Sequence, residues 1–188
     1  MKRPLPTLPR TPTAQRRATR RAERPVAPRE RATAPKPVVT IGYANNAREA
    51  GQLAVQLCAA LSARGVSVAA LIARSGDEPA VEVSVGSFLE AGAQAAKSVQ
   101  VPASGGAEVL GDALERLREP ALVVALGNTL ALFYRPLFSI MVTGHRRQLI
   151  ADDTQILQAD LELTAPSDGI ADELAKILQS RLSAAPPP

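Results

Sequence analysis

Short apolar runs alternate with amphipathic ones along most of this chain, and that alternation predicts its fold. Residues 38–44 (Val-Val-Thr-Ile-Gly-Tyr-Ala) read as a buried strand, with Pro37 at its start, where a missing N–H donor is tolerated. Residues 46–64 carry Leu53, Leu57, Ala60 and Leu61 on one helical stripe, and Gly65 ends it. Residues 66–73 predict a second strand, 81–85 a short edge strand, 87–95 a short helix and 98–102 a further strand. Beyond Gly105-Gly106, residues 107–118 are helical, and 121–126 form the most apolar strand, expected at the centre of a sheet. A helical turn at 130–134, a strand at 137–143, a turn or short helix at 155–158, a last strand at 160–164 and a helix at 168–182 complete the series. Such alternation implies βαβ units, hence an α/β fold with a mainly parallel sheet flanked by helices on both faces.

The N-terminal 37 residues break this pattern. They hold eight prolines, repeated Arg-Arg pairs and almost no large apolar side chains, so ordering them would bury too little surface to offset the entropy lost. They predict a disordered tail, with a helix feasible only over the proline-free residues 13–24. Residues 38–183 then form one domain, and 184–188 a frayed end. Charge divides the same way. Nine Arg and two Lys face Glu23 and Glu30 in the tail, while the remainder holds 11 basic and 16 acidic residues. The basic character belongs to the tail and the domain is acidic.

Cys58 is the only cysteine, which excludes an internal disulfide and points to a reducing, cytoplasmic location; in its apolar helical run it reads as a buried, inert thiol. One His and one Cys far apart argue against zinc or haem chemistry. No run reaches the ~20 apolar residues of a membrane-spanning helix, and no apolar segment follows the basic N-terminus as in a secretory signal.

Ligands of such sheets gather at the carboxyl ends of the strands, where helix N-termini offer N–H groups to anions. The first strand and helix are joined by Gly42-Tyr-Ala-Asn-Asn-Ala-Arg-Glu49. Laid over the phosphate-binding pattern G-x-x-x-x-G-K-[ST], Gly42 matches the first glycine, Ala47 replaces the second, Arg48 the lysine and Glu49 the hydroxyl residue; Asn45 and Asn46 fill the span between. Ala47 resists positive φ and close approach to phosphate. Arg48 is wide and planar where a compact ammonium threads the loop. Glu49 sets a carboxylate against the phosphates, a repulsion of about 4 kcal/mol at ~4 Å and an effective dielectric of 20. An ordinary βα turn would also carry these residues, since a single matching glycine is a weak signal.

Two further segments carry a family resemblance. Glu90-Ala-Gly-Ala93 resembles the REAGA segment of the MobB family, P-loop proteins of molybdopterin-guanine dinucleotide biosynthesis. The runs Leu126-Gly-Asn-Thr-Leu130 and Arg135-Pro-Leu-Phe-Ser-Ile-Met-Val-Thr-Gly144 resemble a strand ending in E-G/S-N-S and the K-P-D-L-x-I-F-V segment after it in related proteins. The resemblance covers residues 38–182 through short, imperfect motifs. It implies a P-loop NTPase-like fold with GTP and Mg²⁺ as family ligands. It also implies an acid at the end of the central strand, where this chain has Ala125, Leu126 and Gly127, and a polar lead into the REAGA segment, where it has Ser84-Val-Gly-Ser-Phe88. Loop, acid and polar segment have all drifted, which fits a non-catalytic pseudo-NTPase acting as a binding or scaffold module with no cofactor of its own.

Alternatives stay open. A GTP-binding accessory protein of molybdenum cofactor biosynthesis would still use residues 42–48. A nucleic-acid-associated protein would use the tail through counterion release, although 3% aromatic residues leave little for base stacking. An acidic partner protein is an equal match for the tail. Gly127, Asn128 and Thr129 at the tip of the central strand are placed either to touch a ligand or to cap the next turn. Asp152-Asp153 suits a divalent cation or, more simply, a helix cap, and Gly144-His145-Arg146-Arg147 reads as a basic turn.

Overall fold

The computed structural model describes residues 31–44, 46–76, 78, 81–102, 104–117, 119–143 and 159–184. The predicted turn at 155–158, the Asp152-Asp153 pair, the basic turn at 144–147, Asn45, residues 1–30 of the tail and 185–188 lie outside the described residues.

Six parallel strands form the main sheet, ordered β4-β3-β5-β2-β7-β8. They are β2 (Val38–Tyr43), β3 (Val68–Ser75), β4 (Ala95–Val101), β5 (Leu122–Leu126), β7 (Phe138–Val142) and β8 (Leu161–Leu163). The helices are α1 (Ala47–Ala63), α2 (Val85–Glu90), α3 (Gly106–Glu115), α4 (Leu130–Phe133) and α5 (Ile170–Ala184). The expectation of an α/β fold with helices on both faces holds, and the architecture is compatible with a P-loop-like fold.

Period-two alternation distributes the strand side chains between two cores. Val39, Ile41 and Tyr43 of β2 join Val124 and Leu126 of β5 beneath Leu53, Leu57 and Leu61 of α1, Phe88 of α2 and Leu174 and Leu178 of α5. Val38 of β2 and Val123 and Ala125 of β5 pack on the other face under Leu110 and Leu114 of α3 and Leu130 of α4. The two innermost strands, β2 and β5, are buried at every position, which is why they are continuous apolar runs rather than alternating ones.

Three features depart from the sequence reading. The helix expected over 87–95 is α2 at Val85–Glu90, and Ala95 already opens β4. Residues 81–85 form no strand: Val83 packs against the bare backbone of Gly51 in α1, and Ser84 caps α2 by accepting a hydrogen bond from the Ser87 N–H at 3.2 Å. Residues 31–37, read as part of the tail, lie against the domain. There β1 (Ala32–Thr33) pairs in parallel with β6 (Tyr134–Arg135), and the Lys36 ammonium donates to the Leu117 carbonyl at 2.5 Å. Among the described residues, no helix is long and apolar enough to cross a membrane.

Candidate functional site at the switch point of the sheet

Strand order fixes where a ligand would sit. From β2 the chain crosses through α1 to β3 on one face, and from β5 it crosses through α4 to β7 on the other. Neighbouring strands β2 and β5 therefore send their connections apart, and the crevice outside their carboxyl ends is the topological switch point. Tyr43, Ala44 and Asn46 form one lip of it, and Gly127, Asn128 and Thr129 form the other.

The loop itself differs from a phosphate cradle. Strand β2 continues through Gly42 and Tyr43, paired with Met141 and Val142 of β7, and α1 begins at Ala47. Only residues 44–46 connect them. Gly42 is thus a buried strand residue, and a Cβ on it would stand 2.5 Å from the Asn128 side-chain oxygen. Its bare backbone makes room for Asn128. Asn46 occupies the N-cap position of α1 and its carbonyl accepts the Ala50 N–H at 3.0 Å. Ala47 opens the helix, and Glu49 lies in its first turn, where the helix dipole favours a carboxylate. Arg48 points outward to Glu82 at 3.7 Å, with both side chains about 70% exposed (68% and 74%), so the pair contributes little.

Asn128 fills the crevice. Its Oδ1 accepts the Tyr43 N–H at 3.0 Å and its Nδ2 donates to the Tyr43 carbonyl at 2.9 Å. One amide side chain thereby satisfies both main-chain groups at the last residue of β2. Gly127 sets it there: φ of +119° bends the chain sharply after β5, and a Cβ at that position would collide with the Ala73 carbonyl oxygen. Thr129, 2% exposed, donates its hydroxyl to Glu78 Oε1 at 2.7 Å.

Glu78 went unrecognised in the sequence, although it is the acid that reaches this centre. It lies in the turn after β3, where its N–H donates to the Ser75 carbonyl at 3.3 Å, and its Oε2 is buried without a hydrogen-bond partner. Burial raises its pKa, against the opposing pull of the Thr129 hydroxyl, the Ser75 and Asn128 main chain, and Arg74. Tyr43, nearly enclosed, is pushed up to about 12 by burial and by the Glu78 charge, with Arg74 pulling the other way. The available signal was positional: an acid just past the end of β3, a strand bordering the central one. Nothing in a 51-residue separation says that it meets Thr129.

The remaining chemistry is sparse. Cys58 is buried in α1 with its thiol pushed up to about 12 by burial, so it is protonated and inert at neutral pH. Among the described residues no three His, Cys, Asp or Glu side chains cluster to hold a metal ion. No family model, curated protein or solved structure matches this chain.

Proposed function

We propose that this chain is a non-catalytic, P-loop-like binding module: a pseudo-NTPase scaffold whose nucleotide crevice is filled by its own residues. The observation that carries this reading is the double hydrogen bond between Asn128 and the Tyr43 main chain. An anion seated at a switch point needs the N–H groups at its lips, and the one on Tyr43 is already committed. The crossing turn of residues 44–46 is also too short to wrap a triphosphate, and Glu49 adds repulsion at the mouth of α1. The module's work is then done on its surface, through a protein partner; the segment resemblance makes the molybdenum cofactor machinery the first place to look for one.

Calorimetric titration of the full chain with Mg·GTP and Mg·ATP tests the reading. Absence of heat up to millimolar nucleotide is the expected result. Micromolar, Mg²⁺-dependent binding of either would overturn it and restore the GTP-binding alternative.

A further inference from the structure

Helix α3 carries a face that nothing among the described residues covers. Glu108, Asp112 and Glu115, spaced i, i+4, i+7, make an exposed acidic stripe along it, with Glu119 exposed just past its end. Beside the stripe runs a groove of about 340 Å³, floored by Val109 and Ala113 of α3 and Val99 of the edge strand β4, with Lys97 and Arg116 also in its lining.

The chain's basic segment is tethered next to this face. Strand β1 is paired with Tyr134 and Arg135, and the Tyr134 hydroxyl donates to the Ala107 carbonyl in the first turn of α3 at 2.8 Å. Lys36 holds the other end of the same stretch to Leu117, beyond the last turn. The described chain therefore begins, at Arg31, alongside α3. Before it in sequence, residues 13–24 are free of proline and carry Ala14, Ala18 and Ala22 at helical spacing, flanked by Arg17 and Arg21, with Arg16, Arg20 and Arg24 beyond. Twelve helical residues span about 18 Å, close to the ~15 Å of a ten-residue helix. The six residues 25–30 reach ~20 Å when extended, enough to fold back over a helix ~10 Å across.

We propose that residues 13–24 dock in cis as a basic helix on the outer face of α3, the alanine strip over the groove and the arginines over the acidic stripe. Spacing, length and tether agree, and the four acids Glu108, Asp112, Glu115 and Glu119 outnumber the Lys97 and Arg116 cations of the groove. Arg116, now 3.9 Å from Asp112, would be displaced, and that exposed pair contributes little. Each new ion pair is also weak, but a short tether supplies an effective concentration near millimolar, so weak contacts suffice. The docked arm withholds its arginines from solution until salt or a stronger polyanion competes.

Limited trypsinolysis of the full chain reads the contact directly, because Arg16, Arg17, Arg20 and Arg21 of the arm are cleavage sites, whereas Pro25 protects the bond after Arg24. At low salt, cleavage after residues 16–21 is expected to be at least about five-fold slower than in the Glu108→Gln/Asp112→Asn/Glu115→Gln variant. Salt at 0.5 M should remove the difference, since screening then acts within a few ångströms. All three substituted residues are exposed, and an unchanged melting temperature verifies the fold. Equal cleavage rates at low salt would overturn the proposal. Protection that rises with protein concentration would overturn it too, by assigning the arm to a second copy of the chain.

Discussion

At the scale of single residues, the switch point is decided by three short side chains and one missing one. Gly42 has no Cβ, so Asn128 enters; Asn128 pairs both ways with Tyr43; Thr129 anchors Glu78. Removing the amide in Asn128→Ala takes away both of its bonds to the Tyr43 main chain, and a loss of about 2 kcal/mol is expected from the urea midpoint. Glu78 gives the molecule a pH dependence of predictable sign. Its pKa is raised in the folded state, so at a pH between its ordinary carboxylate value and the raised one the native protein binds the proton that the unfolded chain has lost. Stability from this group is therefore full at low pH and falls as pH rises through the folded value. Glu78→Gln, which keeps the uncharged shape, should flatten that slope. Parallel slopes for the two proteins above the ordinary carboxylate range would show that the carboxyl does not titrate there.

The elements were largely legible in the sequence because two periodicities separate them. The pattern predicts β2 over 38–44, and it spans Val38–Tyr43; it predicts β5 over 121–126, and it spans Leu122–Leu126; it predicts α1 over 46–64, and it spans Ala47–Ala63. Each is long or apolar enough to show its own period. The reading failed where tertiary contact overrides local pattern. Val81, Val83 and Val85 alternate like a strand, yet that stretch is a strap whose valines pack against the α1 core. Strands β1 and β6 are two residues each and have no period to display. Positions divide likewise: Gly127, Asn128 and Thr129 lie at a strand tip, which is visible in sequence, whereas Glu78 reaches Thr129 only through the fold. The core that α1 organises sets a scale for the whole. Leu57, fully buried, should cost 2–5 kcal/mol as Leu57→Ala by the usual range for buried leucines, and Leu89, 48% exposed on α2, about 0.5 kcal/mol or less as Leu89→Ala. Denaturant midpoints that do not separate the two would mean that α1 is not seated as described.

For the whole molecule, the question is where the folded unit begins, because composition and contacts give different answers. Composition places the boundary at Pro37, after the last of eight prolines. Contacts among the described residues carry it back at least to Ala32, since β1 pairs with β6 and Lys36 caps the carbonyl of Leu117. Two truncations separate these boundaries. Removing residues 1–30 takes nine Lys and Arg and two acids, leaving 13 basic and 16 acidic residues, so the isoelectric point should move from basic to acidic. The melting temperature should change little, because the two cores lie within residues 38–182. Removing residues 1–37 deletes the β1 ladder and the Lys36 bond as well. Each such hydrogen bond contributes about 1 kcal/mol net, so a further loss of about 2 kcal/mol is expected in the urea midpoint. Equal stability of the two truncated chains would put the boundary back at Pro37 and leave α3 without the strap that directs the arm across it.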